Sequence, residues 1–155
     1  PLTKSLRLEQ VPDKPIYYTV GNPAIPDRDN EGHTSNGGFV ITAEGVIVFD
    51  ALGTPSLGWA LLQRIREITD KPIRFVIVSH YHADHIYGLQ AFKDHSDALI
   101  IAQERSEEYK ENKETADERA EQRLAQRREA LYPWVNHDTR VVPPDIVFKE
   151  RLTLK

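Results

Sequence analysis

The sequence predicts a layered α/β protein with a mixed sheet and flanking helices. Three observations carry this: short apolar runs of strand length, amphipathic or helix-compatible segments between them, and the order strand, helix, strand, helix, strand, which requires crossover connections. At 155 residues the chain fits one domain with a sizeable core.

Along the chain, "IYYTV" (Ile16 to Val20) is β-branched and aromatic and reads as a strand. A polar, proline-containing loop follows from Gly21 to Asn36. "GFVIT" and "GVIVFD" then form a hairpin from Gly38 to Asp50, with Gly45 suited to the positive φ of its turn. In "TPSLGWALLQRIREITD", Thr54 is the expected N-cap and Pro55 the first helical residue. Leu57, Ala60, Leu61, Ile65 and Ile68 share one face, so an amphipathic helix runs to near Asp70. "RFVIVSH" is a buried strand, "IYGLQAFK" a short helix beginning near Ile86, and "ALIIA" a second buried strand. From Gln103 to about Leu131 the segment is charged and alanine-rich, without glycine or proline, and reads as one long surface helix. Its apolar stripe is narrow: Tyr109, Ala116, Ala120, Leu124 and Leu131. Arg119, Arg123 and Arg127 form a basic row at four-residue spacing. Among so many glutamates this reads first as a solvated face, and second as a surface for an anionic substrate or partner. The tail, from Arg140, holds two strand-like pieces interrupted by Pro143 and Pro144.

Composition narrows the function. A net charge of −4 provides no general attraction to nucleic acid or an anionic membrane. Apolar runs such as "GVIVF" fall far below the ~18 residues of a membrane span. The expected partner is a small-molecule substrate, with neither nucleic acid nor membrane. With no cysteine, any metal must be held by nitrogen and oxygen ligands. A chain that opens on Pro1 and contains no methionine is expected to be part of a longer translation product.

Half of the six histidines lie in "FVIVSHYHADHIYGL". In an extended segment His80 and His82, at i and i+2, share a face and can reach one ion. Asp84 and His85 follow where the chain turns toward the next helix, so they leave in another direction and suit a second ion. Imidazole and carboxylate donors without thiolate favour zinc, with iron or manganese as other occupants. The competing reading is a set of surface histidines on a polar loop.

"SHYHADH" matches the HxHxDH signature of the metallo-β-lactamase superfamily, and the preceding "GFVITAEGVIVFDA" hairpin, the intervening helix and Gly88 resemble its context over roughly Ser35 to Ala102. The resemblance implies the N-terminal half of an αββα sandwich, in which two similar halves pack face to face. It implies that His80 and His82 bind metal one, that Asp84 and His85 bind metal two, and that Asp50 supports the loop from behind, although an aspartate merely capping a strand end fits the residue alone equally well. Two close divalent ions, zinc above all, would lower the pKa of a shared water and polarise the carbonyl or ester oxygen under attack, with Asp84 orienting the water or accepting its proton. The implied activity is hydrolysis of an ester, thioester or amide-type bond.

The family's further ligands, two histidines and a bridging aspartate, belong to its second half. Here only His95 and His137 follow the motif, and neither has that context: His95 reads as a helix-end residue and His137 as a loop residue. His33 in "EGHTSNGG" can face the metal pocket as a substrate contact or a support for the ligands, and Ser79 reads as structural. The site is therefore expected to be incomplete. The alternative is a non-catalytic metal-binding or self-associating domain, forming a homodimer through its open sheet face. Localisation stays open, with a lean toward the bacterial periplasm.

Overall fold

A computed structural model describes the chain except Lys4 and residues 107–112, and leaves aside the side chains of residues 113–117. Its strands are β1 (Glu9–Gln10), β2 (Ile16–Thr19), β3 (Gly37–Ile41), β4 (Val46–Phe49), β5 (Ile73–Ile77), β6 (Leu99–Gln103) and β7 (Ile146–Phe148). The helices are α1 (Pro55–Ile68), α2 (Ala83–Ile86), α3 (Leu89–His95) and α4 (Lys113–Leu131).

The strands form one mixed sheet in sequential order, antiparallel from β1 through β4 and parallel from β4 through β7. The β3–β4 hairpin closes through Thr42, whose N–H donates to the Gly45 carbonyl at 2.8 Å, and Gly45 has φ of +144°. A side chain there would be strained, which is why glycine occupies the turn. Parallel pairing of β4, β5 and β6 then needs crossovers, and α1 and α3 supply them.

Helix α1 begins where its sequence signals place it. The Thr54 hydroxyl accepts the Leu57 N–H at 3.0 Å, Pro55 opens the helix, and Leu57, Leu61, Leu62 and Ile65 are buried. They pack with Phe39, Val48, Val76, Ile100, Leu89 and Phe92 in a core on one side of the sheet. Helix α4 joins this core through Leu124 and Leu131, which accounts for its narrow stripe. No helix among the described residues is long and apolar enough to cross a membrane.

The opposite sheet face is only partly covered: Ile101 is buried on it, at 1% exposed. Register places Ile16, Tyr18, Phe49 and Leu99 on it, and they remain 39%, 40%, 48% and 42% exposed. Strands β5 and β6 carry apolar residues on both faces.

Three boundaries differ from expectation. The segment expected to be helical from Gln103 starts as strand, since Gln103 ends β6 and pairs with Phe148, and residues 104–106 form a 3-10 turn. Of that segment Tyr109 lies outside the described residues, and α4 covers 113–131. The tail yields one strand rather than two: Pro143 and Pro144 carry no N–H for a ladder, and pairing begins only at Ile146. Finally, the helix expected near Ile86 begins at Ala83 and is divided at Gly88 into α2 and α3, so Asp84 and His85 are helical. The extended backbone of His82 stops the strand-like run, and its carbonyl accepts the His85 N–H at 2.9 Å.

At Gly88 the backbone packs closely against α1. A Cβ at Gly88 would run into the Ala51 carbonyl oxygen, and one at Gly58 on α1 into the Gly88 carbonyl. The Gly88 N–H meanwhile donates to the Leu52 carbonyl at 3.0 Å, so the backbone cannot retreat without losing that bond. Gly88→Ala is therefore expected to destabilise the chain by about 3 kcal/mol or more. An unchanged midpoint in urea unfolding would show that these elements can move apart.

Candidate functional site

The parallel strands all end on one side of the molecule, and their C-terminal ends carry Asp50 after β4, the Ser79–His85 stretch after β5, and Arg105 after β6. Open α/β sheets place their ligands at such strand ends.

After Val78 the chain stays extended. Tyr81 turns into the core, where it is 7% exposed and its hydroxyl donates to the Val142 carbonyl at 2.9 Å. His80 and His82, one residue to either side, face outward and are exposed, with ring centroids 4.5 Å apart. The expected i, i+2 pairing is thus present. His85 reaches back from α2, placing its ring 4.1 Å from that of His80 and its Nε2 3.6 Å from Asp84 Oδ2. All four residues of the motif are brought together.

Asp50 holds this group. It has a left-handed φ of 59°, and its carboxylate is nearly enclosed. Oδ1 accepts the Ser79 N–H at 2.8 Å, while Oδ2 accepts the Ser79 hydroxyl at 2.7 Å and Nδ1 of His85 at 2.8 Å. Since a carboxylate only accepts, the Ser79 hydrogen points at Asp50, and the Ser79 oxygen is left to accept from His80 Nδ1 at 2.9 Å. Both His80 and His85 are thereby held with hydrogen on Nδ1, and Nε2 keeps its lone pair for a metal. Asp50 thus caps the strand end and orients the histidines at once.

The same contacts move the titrations. Burial alone would raise the Asp50 carboxyl, but hydrogen bonds from His85 and Ser79 overcome it and hold the carboxyl below its usual range. Burial would lower His85, and the bond and charge of Asp50, with Asp84 behind, overcome that and raise it. His80 is lowered by burial and by the charges of His85 and His82.

Other residues fall into place around this group. Ser35, 6% exposed, donates from its hydroxyl to the Asp84 carbonyl at 2.5 Å, fastening the 21–36 loop to α2. No local signal could have found that contact, which spans 49 residues. The Nε2 of His33 lies 3.5 Å from the hydroxyl of buried Thr19, and burial lowers its pKa. His95 ends α3 and sets its ring edge against Trp59, while His137 is an exposed loop residue beside Asp138. Ser79, expected to be structural, is so, and it also positions His80.

A cavity of about 430 Å³ opens beside the histidines. His80 and His82 line it together with Arg105, Arg119 and Arg123, so two members of the basic row on α4 face the site, and Arg127 does not. The row was expected first as a solvated face. Leu124 of the same helix is buried in the core, while Arg119 and Arg123 line the cavity.

Among the described residues, no group of three or more His, Asp or Glu side chains is placed to hold a metal ion as it stands. The donor chemistry nevertheless fits one: three clustered imidazoles, two with Nδ1 anchored, and a carboxylate alongside.

The Asp50–His85 pair makes a pH-dependent prediction for the metal-free chain. The lowered Asp50 contributes stability above the unfolded carboxyl value of ~3.9, lost as pH falls through the folded one. The raised His85 contributes below the unfolded value of ~6.5, lost as pH rises through the folded one. Asp50→Asn is expected to cost about 1–3 kcal/mol, and more at about pH 5.5 than at about pH 8. Equal losses in thermal midpoint at both would remove the charged pair from the account.

Comparison with known proteins agrees with this architecture. The metallo-beta-lactamase superfamily profile matches residues 31–153. A metallo-beta-lactamase from Pontibacter korlensis superposes on 97% of this chain and 56% of its own, with a TM-score of 0.62 and 15% identity. One from Hirschia baltica superposes on 94% of this chain and 52% of its own, with a TM-score of 0.60 and 15% identity. A linear primary-alkylsulfatase from a Pseudomonas species is 39% identical over 49 residues, which is 32% of this chain and 9% of that enzyme. The chain therefore spans about half the length of these solved structures and a small part of the sulfatase. With the family matched over most of its length, and with the strand-end histidine loop that the motif requires, the chain belongs to the metallo-β-lactamase superfamily.

Proposed function

We propose that this chain is the N-terminal half of a metal-dependent hydrolase acting on an ester, thioester or amide-type bond of a small molecule. The observation that carries the reading is the Asp50–Ser79 anchor, which turns the Nδ1 atoms of His80 and His85 inward and leaves their Nε2 atoms for a metal. Surface histidines with no common task would not need a buried carboxylate and a hydroxyl behind them. The names of similar proteins, a β-lactamase and an alkylsulfatase, bracket the bond types.

His80, His82, Asp84 and His85 would hold the metal, zinc by the donor set, with iron or manganese fitting the same ligands. Bound there, it would supply Lewis acidity and lower the pKa of a water toward neutrality. The chain's own groups do the rest. Exposed His82 would turn to join the ligand shell, while His80 and His85 are held through Ser79 and Asp50. The Asp84 carboxylate, beside His85 Nε2, orients the attacking water and accepts its proton. Four donors divided between two ions leave each short of the three protein ligands of a catalytic zinc. The remaining ligands would come from a second half of the fold.

The open sheet face favours a second reading, a self-associating domain. Ile16, Tyr18, Phe49 and Leu99 form an apolar surface on it that a second half, or a second copy of this chain, would cover.

His82→Ala is expected to lower zinc binding to this chain at least ~tenfold, with His95→Ala unchanged. Equal zinc stoichiometry by equilibrium dialysis and elemental analysis in both variants would sink the ligand assignment. By light scattering the 155-residue chain is expected at about twice its mass of 17.7 kDa. A monomer at tens of micromolar that binds no apolar dye would rule out pairing through the open face.

A further inference from the structure

Burial alternates along the histidine motif: His80 and His82 are exposed, and Tyr81 between them is enclosed. On an extended backbone neighbouring side chains point to opposite sides, so whatever fixes Tyr81 inward also fixes both histidines outward on one side. A buried ring sets only the side. The Tyr81 hydroxyl adds a specific partner, the Val142 carbonyl at 2.9 Å, which lies 61 residues along the chain. Val142 is itself 3% exposed and belongs to a stretch, residues 136–145, that has no helix or strand of its own but is braced at several points. The Gln90 side-chain amide on α3 takes both hydrogen-bonding roles toward it, donating to the Asp138 carbonyl and accepting the Arg140 N–H, each at 3.0 Å. Lys93 of the same helix pairs with Asp145 at 2.7 Å, and the Asp145 carboxylate also accepts the Ile100 N–H of β6 at 2.9 Å. From α4, Arg128 donates to the carbonyls of Asn136 and Thr139. The stretch is tied to two helices and a strand, and the Tyr81 hydroxyl joins the histidine loop to that frame.

We propose that Tyr81 is a positioning residue for the metal, with the 136–145 stretch as its fixed point: through the Val142 carbonyl it sets the backbone direction from which His80 and His82 project. The inference rests on the ligand assignment of the proposed hydrolase and deepens it, adding a determinant of metal affinity on the buried side of the loop. Its weight falls unequally on the two histidines. His80 has a second restraint, since its Nδ1 donates to the Ser79 hydroxyl at 2.9 Å. His82 is the N-cap of α2, on an extended backbone, and makes no cap bond with its side chain. The aim of His82 is therefore inherited from the backbone that Tyr81 holds. With that backbone fixed, His82 reaches an ion by rotating its side chain alone, and little further order is lost on binding. Without the hydroxyl bond the loop must be ordered when the ion arrives, which weakens binding.

The test uses Tyr81→Phe, which keeps the ring that fills the core and removes the bond, in the 155-residue chain with its fold verified by circular dichroism. Thr54→Ala is the control, because it removes a buried hydrogen bond of similar worth at the start of α1. NMR on the metal-free chains reads the nuclear Overhauser contact between the His80 and His82 rings, whose centroids lie 4.5 Å apart. That contact is expected to weaken in Tyr81→Phe, with the His82 resonances moving more than those of His80, and to persist in Thr54→Ala. Zinc titration should then show affinity about tenfold weaker in Tyr81→Phe and within about twofold of the unsubstituted chain in Thr54→Ala. An unchanged ring contact in Tyr81→Phe, unchanged zinc affinity in a chain that binds zinc, or equal losses in both variants would overturn the proposal, the last because it reports stability alone. Zinc binding by none of the chains would defeat the ligand assignment, and the ring contact, read without metal, would still decide for or against Tyr81.

Discussion

The Asp50 carboxylate is the interaction on which the site depends. It sits one residue beyond β4, on a backbone in the left-handed region, and from there reaches the loop that leaves β5. Three hydrogen bonds converge on its two oxygens, two from Ser79 and one from His85. Buried carboxylates are costly unless their lone pairs are satisfied, and here each donor that satisfies Asp50 is also oriented by it. The parallel pairing of β4 and β5 makes this possible, because it brings the ends of two strands remote in sequence side by side.

Close backbone packing complements this anchor. Gly58 and Gly88 let α1 approach the junction of α2 and α3, and the Ala51 and Leu52 segment is tied to the same place by N–H bonds to and from it. Tyr81 and Ser35 fasten the histidine loop from two other sides, to Val142 and to the loop before β3. The histidine loop is therefore held through its backbone and its non-ligand side chains. His80 and His82 remain exposed at the mouth of the site, His80 anchored to Ser79.

The two sheet faces carry different burdens. One bears α1, α3 and the Leu124 and Leu131 side of α4. The other leaves aromatic and aliphatic side chains partly exposed, in a chain about half as long as the solved lactamases with which it superposes. The membership of the chain in its superfamily and the strand-end location of the motif agree with each other.

Local chemistry sufficed for much of this. The hairpin at Gly45, the Thr54 cap with Pro55, the buried strands and the HxHxDH loop could each be read because their signals lie within a few residues: a turn glycine, a capping hydroxyl, a period of 3.6 or 2, and alternate side chains on an extended segment. The early start of α2, the strand character of Gln103 and the failure of the Arg140 segment to pair could not, since they depend on neighbours that compete for the same backbone groups. The sequence by itself determined which donors exist and that they stand close along the chain. Long-range packing settles what stands behind and before them: Asp50 and Ser79 on one side, Arg119 and Arg123 on the other, with His33 beside Thr19. Those contacts join residues 14 to 35 positions apart, or come from a helix that docks on the core, and no local pattern encodes a distance of that kind.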